Sequence, residues 1–471
     1  MSAPRRRLPV VDQGIGSLRS DGSRIDLQQA DVSGRYHTAR KAVFVLLMAV
    51  YLVLPWVQVK GHPAVFLDLA ARSFYLFGQT FNAQDVWLMF FLLTGVGFSL
   101  VVLTTLLGRV WCGWACPQTV YLDGIFRPIE RLIGGNREAR LRRAAGPWSV
   151  DRVVRGGLTH GLYLLVAFLL AHVFVSYFVS LPALYAMMRA APAAHPEVFV
   201  FTFVATGLLY FNFAHFREQL CLVVCPYGRL QAALTDDDSM VVGYDALRGE
   251  PRGKVARGAE AETEKKGDCV DCRRCVVVCP TGIDIRNGLQ LDCIGCTACI
   301  DACDEVMDKL HRPRGLIRYD SLRGLEGKPR KVLRPRLALY AALGLAGLIA
   351  LTLALRTSEP FEANLIRLRG APFTLEEGAV RNAFTLHIVN KRNERVRYRI
   401  TAETPRGVSA VIPLAEVSLD PLGTLNAPVF LSTPRAGFVH DFEVPIHIRG
   451  LENTDQRTVR APFLGPSQGA P

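Results

Sequence analysis

The chain is 471 residues long, half of them hydrophobic, with a formal net charge of +13. A positive mean hydropathy of +0.21 beside so large a charge excludes an ordinary soluble domain, because apolar and basic residues must be segregated along the chain. Nucleic acid is excluded as the reason for the charge, since Lys and Arg fall in alternate loops between apolar stretches and not on one patch.

Residues 1–40 make a basic arm with Arg5, Arg6, Arg7, Arg35 and Arg40. It has no apolar core followed by a small-residue cleavage site and is not read as a cleaved signal. Four apolar stretches follow at roughly 42–59, 86–107, 158–181 and 198–215, each close to the ~20 residues with which a helix crosses a bilayer. Residues 41–215 are therefore expected to hold four transmembrane helices. The loop 108–157 carries nine arginines, whereas 61–85 and 182–197 carry only Arg72 and Arg189. Basic loops stay on the cytoplasmic side. That rule puts the amino terminus, residues 108–157 and residues 216–335 in the cytoplasm. A fifth span, 336–355, is free of charge between Arg336 and Arg356. Residues 357–471 are then expected in the periplasm.

Two of the inward-running spans end on a cysteine pair. Cys112-Gly-Trp-Ala-Cys116-Pro117 follows the second, and Cys221-Leu-Val-Val-Cys225-Pro226 follows the fourth. The membrane part thus reads as a duplication of helix, helix, CxxxCP. In a continuous helix residues i and i+4 share a face, so each pair would offer two sulfurs to one point, and the two pairs four. Soft thiolates suit Cu(I), zinc or a further iron–sulfur centre, and also cycle as dithiol and disulfide. Packing of small cysteines at helix ends does not account for the same unit in two equivalent places. His160, at the start of the third span, and His215, at the end of the fourth, lie level with these pairs, and His172 is expected near the middle of the third span. An ionisable side chain at membrane depth is a candidate metal ligand or quinone contact, against the plainer reading of a neutral imidazole satisfied by a carbonyl. Haem would need two facing histidines at one depth, which only His160 with His215 offers.

The other eight cysteines form two runs, Cys269-Val-Asp-Cys272-Arg-Arg-Cys275-Val-Val-Val-Cys279 and Cys293-Ile-Gly-Cys296-Thr-Ala-Cys299-Ile-Asp-Ala-Cys303. Both follow C-x2-C-x2-C-x3-C, the spacing of bacterial two-cluster ferredoxins, in which the fourth cysteine of each run ligates the other cluster. One [4Fe–4S] cluster is expected on Cys269, Cys272, Cys275 and Cys303, the second on Cys293, Cys296, Cys299 and Cys279. Structural zinc, usually held by two CxxC pairs, has no use for that rhythm. Residues 216–335 thus combine the second CxxxCP with a ferredoxin domain at about 262–310. Thiolate ligands must stay reduced, as the cytoplasm keeps them, and residues 357–471 contain no cysteine.

In that last segment, 380–389 and 395–402 alternate polar and apolar residues on either side of Asn390-Lys-Arg-Asn393 and read as a hairpin. Further strands are expected near 362–369, 407–412, 426–431 and 440–448. About seven short strands between Pro and Gly turns predict an immunoglobulin-like sandwich, serving either as a docking module or as a passive cap. The expected fold class is a multidomain membrane protein: a five-helix transmembrane bundle, a cytoplasmic two-cluster ferredoxin-like domain and a C-terminal periplasmic immunoglobulin-like β-sandwich.

Beyond the cysteines, several strings are specific: Gln118-Thr119 after the first CxxxCP, Phe211-Asn-Phe-Ala-His215-Phe-Arg-Glu-Gln219 before the second, Tyr227-Gly-Arg229 after it, Arg248-Gly-Glu-Pro-Arg252, and Gly315-Leu-Ile-Arg-Tyr319. With them the chain resembles, over nearly its whole length, the CcoG (FixG/RdxA) family of cytochrome c oxidase accessory proteins. Asp304 stands after Cys303 where a typical ferredoxin has proline, a departure that fits this family. The resemblance implies an inner-membrane protein with two [4Fe–4S] clusters that reduces Cu(II) to Cu(I) for assembly of the cbb3-type oxidase. It implies copper at Cys112, Cys116, Cys221 and Cys225, and oxidase subunits or copper-handling assembly factors as partners besides the lipid bilayer. A weaker resemblance extends to polyferredoxin-type quinol dehydrogenases, which keeps a quinol-to-acceptor conduit open, as well as a scaffold with structural clusters. No GxGxxG in a strand–turn–helix context occurs, so NAD(P)H or flavin is not bound directly. The electron donor and a homodimeric state are left open by the sequence.

Overall fold

The computed structural model describes residues 28–466 except 60, 70–72, 83–85, 254–266, 357–360 and positions 369, 377, 393, 422 and 453. Of the expectations above, those on Arg5–Arg7, Arg72, Asn393, 262–266 and 357–360 lie outside the described residues. The chain divides into two compact units, Met1–Leu67 with Phe90–Ala350, and Asp68–Met89 with Leu351–Pro471.

Five helices among the described residues are long and apolar enough to cross a membrane: Arg35–Val53, Phe90–Leu107, Val150–Val175, Pro196–Phe216 and Pro335–Leu353. Little of their surface is covered by protein. Leu93 is 67% exposed and Phe203 72%, which for helices of this length requires lipid as the surrounding medium.

The first and third helices start well before the stretches that hydropathy marks. In the first, Arg40 and Lys41 lie inside the helix. Arg40 is buried, donating through Nε to the Gly113 carbonyl at 2.9 Å and pairing with Asp123 at 2.8 Å, so its charge is matched within the protein. The amino end of this helix is capped from far along the chain. Asp301 accepts from the backbone N–H groups of Tyr36 (3.2 Å) and His37 (2.6 Å), satisfying two of the four donors a helix start leaves unpaired. In the third helix Ser149 caps the Arg152 N–H, and Asp151 pairs with Arg155 at 2.6 Å on polar turns that precede the apolar stretch.

Between the fourth and fifth helices lies the cysteine-rich segment. Met240–Tyr244 pairs antiparallel with Ile317–Ser321, a ribbon that brackets both cysteine runs. Helices Arg274–Val277 and Ala298–Lys309 pack under it around Val242, Ile285, Ile300, Met307, Leu316 and Ile317. The arm closes one side: the Ala30 N–H donates to the Val277 carbonyl at 2.9 Å and Gln29 Nε2 to the Val278 carbonyl at 2.8 Å.

The second unit contains a hairpin of Ser73–Leu76 with Gln79–Asn82 and a β-sandwich. One sheet orders Ser409–Val411, Thr424–Pro434, Ala379–Asn390 and Phe361–Arg367, with Thr374–Glu376 also on Ala379–Asn390. The other orders Glu416–Leu419, Val396–Ala402, Phe442–Gly450 and Gln456–Phe463. The predicted hairpin of 380–389 with 395–402 does not form. Ala379–Asn390 pairs with Thr424–Pro434 and Phe361–Arg367, whereas Val396–Ala402 pairs with Glu416–Leu419 and Phe442–Gly450. The two strands lie in opposite sheets because the chain turns a corner at Asn390. Its fully buried amide donates to the carbonyls of Glu394 (2.8 Å) and Asp420 (3.0 Å) and accepts from the Arg392 N–H (3.1 Å). Both inner faces meet in one core that includes Phe384, Leu386, Tyr398, Ile446 and Phe463.

Candidate electron-transfer site

The eight ferredoxin-run cysteines line two cavities. Cys269, Cys272, Cys275 and Cys303 surround one, with Arg274, Arg286 and Met307. Cys279, Cys293, Cys296 and Cys299 surround the other, with Cys275 also in its wall. The two loops coil alike. Arg273 and Thr297, each directly after the second cysteine of its run, take left-handed backbone angles (φ 54° and 63°) and start a short helix that turns the third thiol inward. Burial pushes the Cys303 thiol up to about 12, and the thiols of Cys275, Cys272 and Cys269 add to the rise. Cys296 is likewise raised to about 12 by burial, with Arg40 opposing and Cys279 adding. Bare thiolates are therefore costly in both cavities, a cost that a cationic metal centre removes.

Among the described residues no three His, Cys, Asp or Glu side chains converge as a single metal ion would need. A cubane spreads its thiolates around a larger core, and four soft sulfurs per cavity suit it.

The CxxxCP pairs do not lie on continuous helices. Cys112 is in the short helix Val110–Trp114, and Cys116, in extended conformation (φ −61°, ψ 127°), precedes a new helix, Pro117–Tyr121. Cys221 lies in the wide turn Leu220–Val224, and Cys225 (φ −67°, ψ 112°) precedes Pro226–Leu234. Proline at the first helical position forces both breaks, since it cannot continue a helix but readily begins one. The two pairs nonetheless lie within electrostatic reach of each other. Burial raises Cys112 and Cys221 to about 12, and the neighbours that push Cys221 further are Cys116, Cys112 and Cys225. Cys116 is raised by burial while the N–H groups of Gln118 and Thr119 donate to its sulfur and oppose the rise. The Cys112 thiol donates to Gln231 Oε1 at 3.3 Å.

These pairs abut the second ferredoxin run. A Cβ on Gly113 would stand 2.5 Å from the Gly295 carbonyl oxygen and 2.9 Å from that of Ile294, so only glycine permits the approach. Arg109 bridges the two parts, donating to the carbonyls of Cys293 (3.2 Å) and Gly228 (3.1 Å). Trp114 Nε1 donates to the Tyr319 hydroxyl at 3.1 Å, which donates to the Gly295 carbonyl at 2.9 Å. Behind them runs a buried ion network. Asp123 pairs with Arg40 and Arg127, Arg127 with Glu218, and Glu130 with Arg217 at 2.6 Å and Arg140 at 3.2 Å. The basic-loop bias accounts for Arg40, Arg127 and Arg140 but not for the carboxylates they pair with. The signal available was Asp123, Glu130 and Glu218 standing within otherwise basic loops.

The histidines sit apart from the sulfurs in kind. His160 and His215 face each other with ring centres 6.0 Å apart, and Tyr210 hydroxyl meets His160 Nδ1 at 3.1 Å. His172 is in the last turn of Val150–Val175, not mid-span, because that helix ends at Val175, short of the expected 181. Its Nδ1 donates to the Phe168 carbonyl at 2.8 Å, and its ring lines a cavity of about 690 Å3 that no cysteine lines.

Helices with the character of membrane spans, joined to two thiol-lined cavities of cluster type, define a membrane-anchored iron–sulfur electron-transfer protein. Residues 216–322 match the family described as a 4Fe-4S dicluster domain, 88–136 a 4Fe-4S binding domain, and 351–466 an IG-like fold at the C-terminus of FixG. Protein RdxA of Cereibacter sphaeroides is 37% identical, covering 92% of this chain and 96% of its own. Nitrogen fixation protein FixG of Rhizobium meliloti is 34% identical over 86% of each, and Protein RdxB of Cereibacter sphaeroides 38%, over 79% of this chain and 80% of its own. The chain belongs to the FixG/RdxA family.

Proposed function

We propose that this protein is a cupric reductase that converts Cu(II) to Cu(I) for insertion into a cbb3-type cytochrome c oxidase. The observation that carries the reading is the close backbone contact of Gly113 with Ile294 and Gly295, which brings the loop of Cys112 and Cys116 against the second ferredoxin run. Cys269, Cys272, Cys275 and Cys303 would hold one [4Fe–4S] cluster, and Cys279, Cys293, Cys296 and Cys299 the other; bound there, each cluster supplies one-electron storage. On this reading the copper substrate takes its sulfur ligands from among Cys112, Cys116, Cys221 and Cys225, which do not converge as a set of three in the structure. Thiolates favour Cu(I) over Cu(II), so binding and one-electron gain reinforce each other. The ion gains one electron and the reduced protein loses one. Arg109 holds the two loops at fixed separation.

The charge bias of the loops supports a cytoplasmic setting for all twelve cysteines. Partners on this reading are oxidase subunits or copper-handling assembly factors, and a separate electron donor. A second reading, a quinol-to-acceptor conduit, is favoured by the apolar cavity around His172.

The test is anaerobic reduction of the purified protein followed by addition of Cu(II) with a Cu(I) chelator present. Reoxidation should track Cu(I) formation one for one. A Cys112/Cys116/Cys221/Cys225 quadruple alanine variant should keep its iron and lose copper-dependent reoxidation. Reoxidation at the wild-type rate sinks the role given to these thiols; reoxidation by a quinone but not by copper favours the second reading.

A further inference from the structure

A cavity of about 420 Å3 with no cysteine in its wall opens at the amino end of the first span. Its walls come from three places: the arm (Gln29 and Val32), the first helix, and the helix Arg127–Gly134, with Ala298 at the back. Arg40, Lys41, Arg127 and Arg131 all line it, against one carboxylate, Asp123. His37, Arg40, Lys41 and Phe44 share one helix face by their spacing, and Arg127 and Arg131 share another.

Not all of that charge is matched. Arg40 and Arg127 are committed to Asp123, and Arg127 also to Glu218. Arg131 pairs at 2.8 Å with Asp31, whose side chain is more than half exposed, so that pair is weak. The Lys41 side chain has no ion pair or hydrogen bond among the described residues. Bias toward basic loops accounts for how many cations lie on this side of the bilayer. It does not account for four of them converging from two helices on one cavity.

The cavity is also apolar on its membrane side. Phe44, one turn deeper into the span, is 3% exposed and forms part of the wall, while Leu132 at the rim is 83% exposed. Cations at the level where a span begins, next to apolar side chains, suit a ligand with an anionic head and an acyl tail. We propose that this cavity binds the phosphate headgroup of an acidic phospholipid, with Lys41 and Arg131 as the cations that engage it. The shared chemistry is phosphate, and the position at a span end favours lipid over a free anion. Because Ala298 and the arm are part of the wall, a bound lipid would tie the second cysteine run to the membrane surface.

The full-length protein, purified in detergent and stripped of loosely held lipid, is offered phosphatidylglycerol, phosphatidylcholine or inorganic phosphate. Retention is read by native mass spectrometry and stability by thermal unfolding. Phosphatidylglycerol should be retained and should raise the melting temperature, phosphatidylcholine and phosphate should do neither, and each cation removed should weaken binding about fivefold. Lys41→Gln with Arg131→Gln should therefore bind more than tenfold more weakly. Equal effects of the two lipids overturn the proposal, as does full retention by the double variant. Phosphate matching phosphatidylglycerol overturns the lipid assignment. The wild-type lipid comparison decides the matter even if the double variant does not fold.

Discussion

Replacing Gly113 by alanine should open the junction between the CxxxCP thiols and the second ferredoxin run. The added Cβ would lie 2.5 Å from the Gly295 carbonyl oxygen, 2.7 Å from its carbonyl carbon and 2.9 Å from the Ile294 oxygen. All three are backbone atoms, so no side chain can swing aside. Overpacking of a filled interior typically costs about 1–3 kcal/mol, and the upper end applies here because a backbone segment must move. Gly161→Ala is the control: its Cβ meets nothing within 4 Å of protein, and alanine in a helix is favoured by up to about 1 kcal/mol. Both variants are followed by thermal unfolding in one detergent and by hydrogen exchange over 109–116 and 293–299. Gly113→Ala should melt several degrees lower and exchange faster in both segments together. Wild-type stability and protection in Gly113→Ala would refute the close approach on which the proposed reductase rests.

Tyr319→Phe removes the hydroxyl that accepts from Trp114 and donates to Gly295; it should cost about 1–2 kcal/mol, read by thermal unfolding, with iron content unchanged. Asn390→Ala strips the corner of the sandwich of its amide bonds to the carbonyls of Glu394 and Asp420, costing about 1–3 kcal/mol for buried acceptors left unmet, and hydrogen exchange should rise in 388–396. Acid should weaken the ion network. Burial works against ionisation of Asp123 and Glu130, yet Arg127 and Arg40 around the first and Arg217 beside the second hold both carboxyls below their usual range. Depressed carboxyls stabilise the fold above the unfolded-state value of about 4 and lose that contribution as pH falls through the folded one. Melting temperature should thus drop on acidification below about pH 4, and Glu130→Gln should show a shallower drop from a lower starting point.

What sequence made legible and what it hid follow from the range of the interactions. The spans could be read because hydropathy sums along consecutive residues. Their ends could not, since Arg40 is matched by Asp123, a residue outside the span. The two cysteine runs stand out in the sequence because a cubane's ligand spacing is mostly local. The sandwich was legible as a class from alternation, but alternation is the same in either sheet, so strand pairing across Asn390 was not. Arg109 and Tyr319 were invisible as a pair of clamps. The bond from Arg109 to Cys293 spans 184 residues and that from Trp114 to Tyr319 spans 205, and nothing near either residue announces its partner.

The cap that Asp301 places on the first span has a consequence for biosynthesis. Chains emerge amino end first, so this span leaves the ribosome, and reaches the bilayer, long before residue 301 exists. Until the cysteine-rich segment has been translated and folded back, the Tyr36 and His37 amides must be met by water or lipid. A chain stalled before the second cysteine run would therefore carry a frayed first helix, and completion of the cysteine-rich segment doubles as the step that seats the start of that helix.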